Sequence, residues 1–249
     1  MRTFKVTLEY DGTDFAGYQY QVGLRTVQGE LENALGKVLG RSVRCSVAGR
    51  TDAGVHALGQ VVAFRADTSI PLDRMCAALN SVLPKDMAAV RAEAVGADFH
   101  PRFSAKWRTY LYLILNRREP SALWRRYSYH VPGRLDVAAM QRGASYLEGV
   151  HDFTSWANDL REAGSPVRHM RRCKVRRHGE FVVVLVQANA LLKGMVRNIV
   201  GTLVEVGAGK RDADEIPAIT AAKRRSSAGP CAPAQGLCLL RVEYEGQEQ

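Results

Sequence analysis

Gly49-Arg50-Thr51-Asp52-Ala53-Gly54-Val55-His56-Ala57 stands between two strand-like runs, Ser42-Val43-Arg44-Cys45-Ser46-Val47-Ala48 before it and Gln60-Val61-Val62-Ala63-Phe64-Arg65 after it. Whether a loop that presents one carboxylate from rigid flanks or a tight hairpin with a surface ion pair, it forms the centre of a longer pattern. Upstream, Phe4, Val6, Leu8 and Tyr10 alternate with Lys5, Thr7 and Glu9, the period of a half-buried strand. Asp11-Gly12-Thr13-Asp14 follows as a turn. Thr26 is placed to cap a helix whose apolar positions Val27, Leu31, Ala34, Leu35 and Val38 recur at helical spacing. Downstream, a helix after Pro71 aligns Leu72, Met75, Leu79 and Leu83, and a short strand lies near Val90. The order is β-α-β-β-α-β.

The second half repeats that order without repeating the sequence. Trp107 to Leu115 is a strand with Arg108, Tyr110, Tyr112 and Ile114 on one face, and Val137, Met140, Ala144 and Leu147 mark a helix. Strands around Cys173–His178 and Phe181–Ala188 meet at His178-Gly179. A helix from about Leu192 to Val206 turns Met195, Ile199, Leu203 and Val206 inward, and Leu237–Tyr244 is the closing strand. Split βαβ units of this order are ferredoxin-like. The expected fold is α+β: two ferredoxin-like (βαββαβ, RRM-like) domains, residues 1–105 and 106–249, their antiparallel sheets side by side and an active-site cleft between them. His151 to Met170 is expected to be a long irregular stretch.

Composition narrows the function. A hydrophobic share of 46% and a charged share of 24% are those of a globular chain with a sizeable core. The longest apolar runs, such as Phe181–Val186, are far too short to span a bilayer. The N-terminus alternates instead of showing a signal peptide, so a cytoplasmic, membrane-free protein is expected. Five cysteines without a CxxC pair point to reduced thiols, and six scattered histidines make a metal site unlooked-for.

The net charge of +10 is uneven. Residues 1–105 carry 12 Lys/Arg against 11 Asp/Glu, while residues 106–249 carry 23 against 14. A one-sided basic surface is the footprint of a polyanion binder, and nucleic acid is favoured over a mere solubility device. Basic residues crowd at Arg168–Arg177. That run is either a solvated face or a phosphate-backbone track, with Arg171, Arg172, Arg176 and Arg177 as the candidate contacts. Asn116-Arg117-Arg118 and Trp124-Arg125-Arg126-Tyr127 add charge with aromatics interleaved.

With no Walker loop and no Rossmann glycine pattern, catalysis would rest on side chains. Asp52 is the leading candidate, because an adjacent arginine favours the ionised carboxylate that a nucleophile or base requires. A hairpin carrying only a surface ion pair fits the same residues. Arg197 is the lone arginine of the apolar run Met195-Val196-Arg197-Asn198-Ile199-Val200. Its spacing fits a buried arginine with an acidic partner and an outward-pointing one equally.

Gly49–Ala57 resembles the active-site loop, GRTDAGVHA, of the TruA family of tRNA pseudouridine synthases. Tyr10-Asp11-Gly12-Thr13 resembles that family's opening strand and turn. Asp98-Phe99-His100-Pro101-Arg102-Phe103-Ser104-Ala105 is similar to its DFHARFSA segment, with Pro101 for alanine. Arg108-Thr109-Tyr110-Leu111-Tyr112 fits its RxYxY strand. Met195–Gly201 with Thr202–Gly207 matches MVRNIVGTLVEVG, and Ala232–Leu237 fits APAxGL. Departures are Tyr18 in a GWQxQ motif, Lys193-Gly194 before Met195, and Cys238 after Leu237.

The resemblance implies cofactor-free isomerisation of uridine to pseudouridine at positions 38, 39 and 40 in the anticodon stem-loop of tRNA, by a homodimer. It implies Asp52 as the nucleophile, attacking C1′, adding to C6 or acting through a glycal. Tyr110 would stack on the target base, Arg197 would pair with the aspartate, Leu237 would line the uracil pocket, and Arg50 would help to extrude the base. The rival readings are a non-catalytic RNA-binding protein and a carboxylate enzyme acting on a small glycoside.

Overall fold

The computed structural model describes residues 1–161 and 164–245. The fold is mixed α+β, with extensive sheet and few helices. In chain order the elements are β1 (Arg2–Tyr10), α1 (Val27–Leu39), β2 (Ser46–Val47), β3 (His56–Ala66), α2 (Met75–Asn80), β4 (Met87–Val95) and β5 (Ala105–Leu115). Then come β6 (Tyr129–His130), α3 (Val137–Ser145), β7 (Gly149–Asp152), β8 (Val167–His178), β9 (Phe181–Ala188), α4 (Met195–Gly207), α5 (Ile216–Ala221) and β10 (Leu237–Tyr244). Contacts divide the chain into two compact units, Met1–Lys106 joined by the chain from Leu239 onward, and Trp107–Cys238. Most of β10 belongs with the first unit. It runs beside β3 so closely that a Cβ on Gly59 would collide with the Leu240 carbonyl.

In the first unit β1 is central. It pairs antiparallel with β3 from Arg2↔Ala66 to Tyr10↔Ala57, and with β4 from Thr3↔Val95 to Tyr10↔Met87. The order is β4-β1-β3-β10, with β2 also paired to β3. Phe4, Val6 and Leu8 are fully buried, as their alternation requires, and Phe4 stacks on Phe64 with ring centroids 5.3 Å apart. Lys5, on the opposite face, is also buried. It is neutralised by Glu93 at 3.0 Å and sits over the Tyr244 ring. Thr26 caps α1 through its Oγ1, which accepts from Gly29 N.

Local chemistry shortens two expected elements here. The hairpin is wide instead of tight, because β2 is only two residues long. The helix after Pro71 is a 3-10 turn leading into α2, and it stops at Asn80. The Asn80 amide donates to the Ala89 carbonyl at 2.9 Å and its oxygen accepts Ala89 N–H at 2.7 Å, so the side chain pairs with β4 in place of another helical turn.

In the second unit the order is β5-β9-β8-β7, with β6 parallel to β5. Tyr110↔Val186↔Cys173 and Tyr112↔Val184↔Val175 share one face. These six side chains are buried on the side where α3 and α4 pack. The outward N–H groups of Cys173 and Val175 are closed off by Glu148 (2.8 Å) and Gln141 (2.7 Å), which protects an edge that β7 covers only in part. β8 starts at Val167 instead of near Cys173, because Val167–Met170 pairs with β7. The irregular stretch is correspondingly shorter than His151–Met170. α4 starts at Met195 instead of Leu192, because Gly194 at φ 72° breaks the helical path. All five cysteines are free thiols, and burial pushes Cys45 and Cys173 up to about 12. Among the described residues no helix is long and apolar enough to cross a membrane.

One ion pair in the first unit makes a pH signature. Arg25 grips Asp86 with both terminal nitrogens, at 2.7 and 2.8 Å, over the Phe15 ring. The guanidinium holds the Asp86 carboxyl below its usual range. A depressed folded pKa stabilises above the unfolded pKa and is lost as pH falls through the folded one. The gap in melting temperature between the parent and Arg25→Gln should therefore be constant above about pH 5 and shrink below about pH 4. Thermal melts over that range check it; a gap that widens in acid would contradict it.

Candidate active site

The loop bearing Asp52 is held at both ends by buried side chains of the first unit. Asp52 to Val55 form a β-turn closed by Val55 N–H donating to the Asp52 carbonyl at 3.1 Å. Gly54, at φ 79°, supplies the left-handed third position that a type II turn needs. Before the turn, Gln60 reaches back from β3 with no exposed surface. Its Nε2 donates to the Gly49 carbonyl at 2.7 Å and to the Tyr10 hydroxyl at 3.2 Å. That hydroxyl in turn shares a 2.8 Å hydrogen bond with Thr51 Oγ1. The Thr51 carbonyl accepts Tyr18 N–H at 3.0 Å. Tyr18 is buried with its hydroxyl 3.8 Å from Cys45 Sγ.

After the turn, Gly12 N–H donates to His56 Nδ1 at 3.0 Å, and that nitrogen lies 3.2 Å from Asp11 Oδ1. Only glycine fits at position 12, since a Cβ there would collide with the Val55 carbonyl. Asp52 is thus half-buried on a rigid loop, beside an exposed Arg50. This geometry holds a carboxylate where a ligand can reach it, which a hairpin tip with a surface ion pair would not require.

In the second unit a single segment, 230–237, gathers the other candidates. Gly201 lets α4 approach it so closely that a Cβ would strike the Pro230 carbonyl. Arg197 is then fixed reciprocally: its Nε donates to the Ala232 carbonyl at 2.7 Å, and its carbonyl accepts Ala232 N–H at 3.0 Å. The side chain is half-buried, between the two orientations its spacing allowed. Tyr112 donates to the Pro233 carbonyl at 2.7 Å. Burial pushes its hydroxyl well above the ordinary range, with the nearby Arg197 charge opposing. Gly236 lies flat on that ring, where a Cβ would come within 2.6 Å, and this seats Leu237 in a buried position. Tyr110 shares the Tyr112 face and is buried.

Two groups of supporting residues escaped sequence reasoning. Tyr10, Gln60, His56 and Gly12 brace the Asp52 loop; a glutamine within the apolar run of β3 was the available signal. Asn198 is fully buried beside Arg197 and donates to the Trp156 carbonyl (2.8 Å) and Asn158 Oδ1 (2.9 Å) while accepting from Arg225 (2.8 Å). A second polar residue in an apolar helix could have revealed it. The basic run divides. Arg171, Arg172 and Arg176 lie on the face of β8 away from the helices, whereas Arg177 turns to the other face, donating to Asn116 Oδ1 at 2.7 Å and to the Leu135 carbonyl.

The chain thus holds an aspartate rigidly on a GRTDAGVHA loop in its first unit, and the tyrosine, arginine and leucine of three further motifs lie in its second. A family model described as tRNA pseudouridine synthase matches residues 7–104 and 144–245. The chain belongs to that family, in its TruA branch, whose members isomerise uridine in tRNA. It is 50% identical to tRNA pseudouridine synthase A of Moorella thermoacetica, over 98% of this chain and all of that one. Identity to the enzyme of the same name is 47% in Halalkalibacterium halodurans, over 95% and 90% of the two chains. In Acetivibrio thermocellus it is 45%, over 98% and 100%.

Proposed function

We propose that this chain converts uridine to pseudouridine at positions 38, 39 and 40 of the tRNA anticodon stem-loop, by base extrusion and an Asp52-dependent, cofactor-free reaction. The braced carboxylate carries the reading. The N1–C1′ bond breaks, the uracil turns and C5 bonds to C1′. The C5 proton leaves and N1 gains one, so the reaction is an isomerisation. Asp52 is the nucleophile, and Arg50, exposed on the same loop, fills the place of the extruded base. Tyr110 stacks on the target uracil, Arg197 is the basic residue that partners the aspartate in the reaction, and Leu237 lines the pocket. The fold is read as two ferredoxin-like domains, the catalytic loop on one and Tyr110, Arg197 and Leu237 on the other; the central β1 between β3 and β4, with β2 on β3, supports this for the first. The working form is a cytoplasmic homodimer on tRNA.

Unmodified tRNA incubated with the protein and then mapped for pseudouridine tests the reading. New pseudouridine confined to positions 38, 39 and 40 is expected; modification elsewhere would overturn the assignment of position. The division of the basic run adds a sharper expectation. Neutralising Arg171, Arg172 and Arg176 to glutamine should weaken tRNA binding and flatten log affinity against log salt by roughly one unit for each phosphate left without a cation. Arg177→Gln should leave the slope unchanged and lower the melting temperature instead, because it removes two intramolecular hydrogen bonds.

A further inference from the structure

The helix-free face of β8 presents one continuous row: His169, Arg171, Arg172, Lys174, Arg176 and His178. Consecutive residues Arg171 and Arg172 share this face because the register shifts between Met170 and Arg172. Such a bulge inserts a residue and re-aims its side chain. The inserted residue is Arg171, and its guanidinium lies over the Trp107 ring, 5.4 Å from the centroid. His169 meets the same ring edge-on at 5.2 Å. Trp107 itself is half-exposed at the start of the second unit, on the face that also carries Thr109 and Leu111. Glu148 pairs with Lys174 at 2.8 Å, so the excess charge of the row rests with Arg171, Arg172 and Arg176.

An indole clamped by a cation on its face and an imidazole at its edge keeps one orientation, so its stacking surface is preorganised. A nucleic acid strand needs such a surface next to a line of positive charge: aromatic and guanidinium planes for unstacked bases, with cations for the phosphates. A protein partner would call for acidic groups to match the row, and a polyanion supplies them without further design. We infer that Trp107, held by Arg171 and His169, is a nucleobase-stacking platform for the tRNA substrate, and that Arg171, Arg172 and Arg176 bind the phosphates flanking that base. Trp107 is a substrate-binding residue on the face of β5 opposite Tyr110. The inference rests on tRNA being the substrate.

The test compares parent, Trp107→Ala and Trp107→Phe for tRNA affinity at several salt concentrations, for single-turnover pseudouridine formation at saturating enzyme, and for thermal unfolding. Trp107→Ala should bind tRNA about tenfold more weakly. Its saturating rate should match the parent, and its salt slope should be unchanged because no charge is lost. Trp107→Phe, which keeps a ring, should bind within about twofold of the parent. Parent-like affinity in Trp107→Ala, or a phenylalanine variant as weak as the alanine one, overturns the platform. So does a changed oligomeric state with unchanged tRNA affinity, which would assign the face to a second copy of the chain. Should Trp107→Ala unfold, tryptophan emission decides: tRNA should quench the parent strongly and Trp107→Phe little, and equal quenching overturns the inference. If the parent forms no pseudouridine in any tRNA, the proposed activity fails, while the affinity comparison still decides the role of Trp107.

Discussion

Asp52→Asn is expected to bind tRNA within about twofold of the parent and to form pseudouridine at least about ten-thousandfold more slowly. The amide replaces the carboxylate with nearly the same shape. The contacts that hold the loop run through the Gly49 carbonyl, the Thr51 hydroxyl and carbonyl, and the Val55 N–H, none of which the substitution removes. What disappears is the lone-pair basicity and charge that attack at C1′, addition at C6 and the glycal route all need from Asp52. One variant therefore tests all three together. Single-turnover assays with mapping of the product, beside direct binding measurements, give the answer. A residual rate within about tenfold of the parent would sink the nucleophile assignment, and a loss of tRNA binding would make Asp52 a structural or binding residue.

The second large effect is structural and reaches the site through the backbone. Gly201→Ala in α4 should destabilise the protein by about 2–4 kcal/mol, against the roughly 1 kcal/mol that alanine ordinarily gains over glycine inside a helix. The added Cβ would occupy the space of the Pro230 carbonyl, so α4 and the segment 230–232 must separate. Separation breaks both backbone links between Arg197 and Ala232, and the rate should fall with the stability. Gly36→Ala in α1 is the control. There the nearest atom to a new Cβ is the Arg41 carbonyl oxygen at 3.8 Å, and the same substitution should stabilise or be neutral. Denaturant unfolding of the two variants decides. Equal signs would show that the close approach at Gly201 is not a constraint.

Much of the fold was legible because its cues are local. The alternation of β1, the Thr26 cap and the spacing of α1, and the Arg108–Ile114 face of β5 all depend on neighbours a few residues away, and each stands where the pattern put it. The errors have non-local causes. α2 ends at Asn80 because a side chain pairs with a strand nine residues further on. β8 starts early because β7, too short to be recognised by pattern, offers it a partner. α4 starts late because Gly194 takes up a left-handed conformation that spacing alone does not reveal.

For the site, sequence alone determined the chemistry available: a single aspartate between two glycines, a tyrosine strand, a lone arginine in an apolar helix, and a basic second half. Tertiary structure decided how these groups are held. Gln60 and Tyr10 reach the Asp52 loop from two strands, and glycines at 12, 201 and 236 admit backbone and ring where any Cβ would intrude. It also decided which face each member of the basic run serves. A bulge turns Arg171 onto Trp107, and strand alternation takes Arg177 to the opposite side. Residue identity supplies charge and hydrogen-bonding capacity, but direction and distance come from register and close packing, which are set by chain segments far apart in sequence.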